Sequence, residues 1–153
     1  MATTFIEYKD HKGFWIHESF MQLAFHYMYD EIKKTEYNFT NKNQLLDEIK
    51  FQIDGYSCGS VSLGWYGFVE NNLEKQSMIV ALQNIKTYLQ SLGTHISIFQ
   101  LQSVPTEDED FKRLYSRNPF PVSELTKILN ALIEMIKGTW ISTNYDMQID
   151  YKY

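Results

Sequence analysis

Four histidines, one cysteine and a dense run of carboxylates are the residues of this chain whose types could do chemistry. Zinc held on a helix takes two ligands four positions apart, so that both imidazoles point one way. His17 and His26 are nine positions apart, which on a helix would set them about 180° from each other. His26 and Asp30 do share an i, i+4 spacing, but such a pair alone is common on helices. No metal site and no cofactor is expected.

Cys58 lies in Tyr56-Ser57-Cys58-Gly59-Ser60. A loop thiol near a helix start can be activated, yet no histidine stands in a recognised arrangement with it, and a lone cysteine is more often a small buried hydrophobe. The glycines around it (Gly55, Gly59, Gly64) lack the P-loop lysine and the Rossmann pattern, and there is no Gly-x-Ser-x-Gly elbow. Glu107, Asp108, Glu109 and Asp110 form the one dense acidic run. Acid–base catalysis needs a carboxyl with a raised pKa. These four sit at an expected helix N-terminus, which favours ionisation. Their surviving role is electrostatic, as an anionic patch that meets a basic partner.

The aromatic content is high at 16%, with Trp15, Trp65, Tyr66 and Trp140 near element ends. Rings there either close the core, the expectation for each taken singly, or stand out as interface anchors. Tyr37 and Phe39 fall in a polar loop and are expected to be exposed. The candidate partner surface is therefore Glu107 to Asp110 with Trp65, Tyr66 and Tyr37. A formal charge of −5 argues against nucleic acid and anionic lipid. The longest mostly apolar stretch, Phe20 to Ile32, is too short and too polar to span a bilayer. A single cysteine and no secretory pattern at the N-terminus point to the cytoplasm.

These residues must be positioned by a mainly α, single-domain helical bundle of four to six helices. The expectation covers residues 1–153, with room for a small extended or β segment at 59–68 and in the C-terminal tail. The first helix opens after Gly13 and runs to about Lys34, apolar on two adjoining rows and hence central. A second spans about Lys42 to Asp54, with Gly55 in the left-handed cap position. The third runs from about Asn72 to Leu92, started by Asn71 with Glu74 and stopped by Gly93. Ile96 to Val104 reads as a brief helix capped by Ser97 or as a strand. Thr106 with Glu109 forms a capping-box pattern for a short helix at about Glu107 to Tyr115. The last runs from Pro121 or Ser123 to Lys137, closed by Gly138. Tyr145, Met147, Ile149 and Tyr151 then alternate with polar residues, the period of an extended segment.

Three stretches stand together: Lys12-Gly13-Phe14-Trp15-Ile16-His17-Glu18-Ser19, Leu89-Gln90-Ser91-Leu92-Gly93, and Lys137-Gly138-Thr139-Trp140-Ile141-Ser142-Thr143-Asn144-Tyr145. This combination resembles a group of small, acidic bacterial immunity proteins of polymorphic or contact-dependent toxin systems. The resemblance implies a non-catalytic protein that binds a cognate toxin domain, often a basic nuclease, and holds it inactive. It carries no binding residues onto these positions. Two other readings stay open: a helical adaptor or regulatory protein acting through homo-oligomerisation or another protein partner, and an enzyme with an unrecognised site near Cys58. Oligomeric state is not legible.

Overall fold

The computed structural model describes residues 3–56, 60–62 and 68–153, so Cys58, Trp65 and Tyr66 lie outside the described residues. The fold starts with a hairpin rather than a helix. Strand β1 (Thr3–Glu7) pairs antiparallel with β2 (Gly13–His17) in the register Ile6↔Phe14 and Phe5↔Trp15. Thr4, Ile6, Phe14 and Ile16 are buried, while Trp15 packs on Phe5 across the outer face and stays 41% exposed. Trp15 therefore does not close the core, contrary to expectation. A side chain on Gly13 would fall 1.8 Å from the Ile6 carbonyl oxygen, so glycine is what lets the strands close there.

The helix expected after Gly13 begins only at Glu18, and His17 is its cap residue: α1 spans Glu18–Ile32. Ile16 falls on the helical row of Phe20 and Leu23, but Phe14 and Ile16 also share a strand face. Pairing with β1 decides between the two periods. The half-turn separation assigned to His17 and His26 does not apply, because His17 is not in the helix. From Glu18 onward α1 is buried on most of its circumference, as its two apolar rows required.

Helix α2 (Lys42–Ile53) buries Leu45, Ile49 and Ile53, and Gly55 follows at φ +80°. Strand β3 (Ser60–Ser62) adds parallel to β1. Helix α3 (Asn72–Ser91) starts where the Asn71 side chain accepts the Glu74 amide. A two-residue strand, β4 (His95–Ile96), leads into α4 (Ile98–Gln102), which Ser97 and Gln100 cap reciprocally. Helix α5 is Glu109–Leu114. Strand β5 (Phe120–Pro121) pairs with β4 and feeds α6 (Val122–Lys137). After α6, Gly138 turns left-handed at φ +81° and Thr139 N–H reaches back to the Glu134 carbonyl, closing a Schellman turn. Strand β6 (Tyr145–Asp146) lies parallel to β2.

The larger sheet thus runs β3-β1-β2-β6. It flanks a helical body in which α1 packs on α2, α3 and α6, and α3 on α6. Helix covers 53% and strand 11%, so the mainly α expectation holds, with six helices among the described residues. Much of the aromatic excess is internal. Phe20, Phe111, Tyr115, Phe120 and Tyr151 stack at ring separations of 4.7–6.2 Å. Within this cluster the Tyr115 hydroxyl donates to the Ser19 carbonyl at 2.8 Å. Burial of rings this large contributes on the order of 1.5–3 kcal/mol each. No helix among the described residues is long and apolar enough to cross a membrane.

Candidate functional site

The acidic run is tied to the end of α2 by a polar junction. The Ile53 carbonyl, an orphan acceptor of the last turn, receives the Thr106 hydroxyl at 2.7 Å and the Gln22 amide at 3.2 Å. Gln22 also donates to Asp108 Oδ2 at 2.9 Å, while Asp108 Oδ1 accepts the Asp110 and Phe111 amides at 3.0 and 3.4 Å. Asp108 is therefore the cap of α5, and the expected Thr106–Glu109 capping box does not form. The buried Thr106 hydroxyl donates to Ile53, and in that position its oxygen accepts the Asp108 amide at 3.1 Å instead of the Glu109 amide. Gly55 sits under this cap, where an added Cβ would come 2.6 Å from Asp108 Oδ2.

Above the junction stand two exposed rings. Phe51 (49% exposed) and Tyr56 (56%) stack at 5.3 Å. The Tyr56 hydroxyl donates to Glu107 Oε2, and that bond is the main cause of its raised pKa. Asp54 accepts the Glu107 amide and pairs with Lys50 at 3.2 Å. Asp47 and Glu48 lie exposed one turn earlier on α2, and Glu109 and Asp110 continue the acidic surface along α5, Asp110 pairing with Arg113. The result is an aromatic pair bordered by carboxylates on a braced junction. Such a surface suits cations, which gain from both the carboxylates and the ring faces.

Of the residues expected at a partner surface, Glu107, Glu109 and Asp110 are exposed here and Asp108 is spent on capping. Tyr37 and Phe39 are not exposed; they are 4% and 8% accessible. Tyr37 donates to Glu31 Oε2 at 2.5 Å and accepts from Asn84 at 2.7 Å. Burial first, then the bond to Glu31, pushes its hydroxyl up to about 12. The loop around it is polar because the network it serves is polar. Phe51 and Tyr56 were overlooked, although one signal was present. Phe51 lies opposite Ile49 and Ile53 on the helical wheel, and a phenylalanine on the wet side of an amphipathic helix has no core to enter.

His26 and Asp30 do meet, at 3.6 Å, beside a groove of about 480 Å³ between α1, α3 and α4. Burial holds the His26 imidazole below its usual range, so it is neutral near pH 7. The groove's other acid, Glu31, is occupied by Lys34 and Tyr37. Among the described residues no three of His, Cys, Asp and Glu are grouped so as to hold a metal ion.

No protein-family model, curated protein or solved structure matches this chain. Its functional reading therefore rests on surface chemistry.

Proposed function

We propose that this chain is a non-catalytic binding protein that captures a basic protein domain, acting in the cytoplasm as an immunity protein against a cognate bacterial toxin. The observation that carries the reading is the Phe51–Tyr56 pair bordered by Asp47, Glu48, Asp54 and Glu107. Long-range attraction by the acids speeds encounter, and desolvation of the two rings slows release. The excess of 19 acids over 14 bases extends the same field beyond the patch. The motifs behind the immunity-protein resemblance have a different job. Gly13-Phe14-Trp15 forms β2, and the Trp140 indole donates to the Gly13 carbonyl at 2.9 Å, so they build the sheet rather than the interface.

The test is to sequence the neighbouring gene and, where it encodes a large secreted protein, to titrate the purified chain calorimetrically with that protein's C-terminal domain, together with growth protection. The double variant Phe51→Ala/Tyr56→Ala should weaken Kd by about tenfold or more. Glu107→Gln/Glu109→Gln should slow association and flatten its salt dependence. The reading falls if the wild-type chain neither binds nor protects, or if binding ignores the two rings. A second reading, self-association through the sheet, is favoured by the Phe5–Trp15 pair on the outer face. A mass measured by light scattering that doubles in wild type and not in Trp15→Ser would replace the first.

A further inference from the structure

On a separate face, the turn of the β1–β2 hairpin meets the start of α3 and the end of α6 around a concavity of about 240 Å³. Four of the chain's 14 basic residues line it: Lys9, Lys12, Lys75 and Lys137. The one acid in the lining is Asp10, and Trp140 forms part of the wall. Lys9, Lys12 and Lys75 are half-buried.

Four lysines elsewhere in the molecule have carboxylate partners. Lys33, Lys34, Lys50 and Lys127 each meet a carboxylate at 2.9–3.2 Å. Among the described residues, none of the four pocket lysines has one within 4.0 Å. Lys9 and Lys75 instead approach each other closely enough for the Lys9 ammonium to hold the Lys75 pKa below the usual lysine value. Lys9 also lies 5.3 Å over the Tyr8 ring. Lys137 is partly offset by the carbonyl end of α6. The other three converge from two elements with only Asp10 against them, and like charges brought together this way repel unless an anion joins them.

The backbone holds this geometry. Asp10 and His11 both take left-handed conformations, φ +56° and +58°, and the Lys12 amide closes onto the Lys9 carbonyl at 2.9 Å. Positive φ at both central positions is the signature of a type I′ turn. It sets Lys9 and Lys12 at the two corners of the hairpin end, facing the first turn of α3.

We propose that this pocket binds a small polyanion with two linked phosphate groups. A concavity of about 240 Å³ has room for a ligand of a few linked heavy-atom groups. Three or four ammonium groups match its multiple charges better than those of a single carboxylate. A nucleic-acid strand or a lipid surface would need an extended basic face, which a net charge of −5, with four of the other lysines held by carboxylates, disfavours.

The experiment titrates the full chain with inorganic pyrophosphate, phosphate and sulfate at matched ionic strength, following backbone amide shifts and melting temperature. Pyrophosphate should bind saturably, shift amides of residues 9–12 and 75, and exceed phosphate in affinity by about tenfold. Lys9→Met and Lys75→Met should each weaken it several-fold while leaving the unliganded melting temperature unchanged or higher, because repulsion is relieved. Lys86→Met, half-buried farther along α3 and outside the pocket lining, should have no effect. Absence of saturable binding up to about 10 mM pyrophosphate, or equal binding by Lys75→Met, overturns the proposal. So does binding to phosphatidylserine vesicles through these lysines without any affinity for pyrophosphate, which would reassign them to a membrane. Should Lys75→Met fail to fold, Lys9→Met and the wild-type salt dependence decide the same question.

Discussion

Tyr37→Phe separates a buried structural hydroxyl from a surface contact. The substitution keeps the ring, so no cavity opens, and it deletes one oxygen with two partners. Glu31, itself 8% accessible, loses its shortest donor and keeps Lys34 at 2.9 Å. Asn84 is exposed and takes water in exchange, so its loss counts for little. A hydrogen bond to a charged group contributes about 1.5–3 kcal/mol, and the partial water access of Glu31 points to a loss of about 2. In a chain of this length each kcal/mol moves Tm by about 2–4 °C, so Tm should fall by about 4–8 °C. Urea unfolding should give a lower midpoint with an unchanged m-value.

The sign with pH is also determined. A hydroxyl raised in the folded state to about 12, against about 10 unfolded, contributes stability fully present below pH 10. That contribution is lost as pH rises towards 12, so the gap between wild type and Tyr37→Phe should narrow over that window. Tyr153→Phe, at an exposed ring, is the control and should change stability by less than about 0.5 kcal/mol. If Tyr37→Phe is as stable as wild type but loses partner affinity, the burial argument is wrong and Tyr37 is a surface contact.

Three further outcomes follow from the same contacts. Glu74, buried at the start of α3, accepts the Thr40 amide at 2.9 Å, and that bond chiefly lowers its pKa. Its stabilisation is present above the unfolded glutamate value of about 4.3 and lost as pH falls through the folded one. The difference between wild type and Glu74→Gln in urea midpoint should therefore shrink between pH 7 and acid. Asp108→Ala removes the α5 cap and the Gln22 partner together, and should cost about 1–2 kcal/mol, measured by chemical denaturation. An Asp108→Asn variant recovers part of that loss. His11→Gly relieves a left-handed histidine at φ +58° and should raise stability by about 0.5–1 kcal/mol, since its exposed pairing with Glu7 contributes little.

Within the chain, the helices were legible wherever a local signal and an apolar stripe agreed. Asn71 with Glu74 and the glycines at 93 and 138 sit where their local chemistry placed them, and Ser97 caps the helix that was one of two readings of Ile96 to Val104. These are interactions among residues a few positions apart, so the order of amino acids suffices to specify them. The Thr106 box shows the limit. The pattern was correct for a cap, but a bond to a carbonyl 53 positions away fixed Thr106 where its oxygen accepts the Asp108 amide, and Asp108 capped the helix.

The candidate site divides in the same way. The acidic run was visible, because charge at a helix start is a local property. Phe51 on the wet side of α2 carried a signal in the chain, but only bringing the end of α2 to the start of α5 placed Tyr56 against a glutamate 51 positions on. The four lysines are scattered from position 9 to 137 and carry no pattern in the chain. Only the closing of the hairpin on α3 and α6 gathers them. Sequence alone determined the mainly α class, most helix boundaries and the acidic balance. Tertiary structure decided the hairpin, the fate of Tyr37 and the make-up of both surface sites. Each of these depends on which distant groups compete for one buried position, and no local interaction encodes that competition.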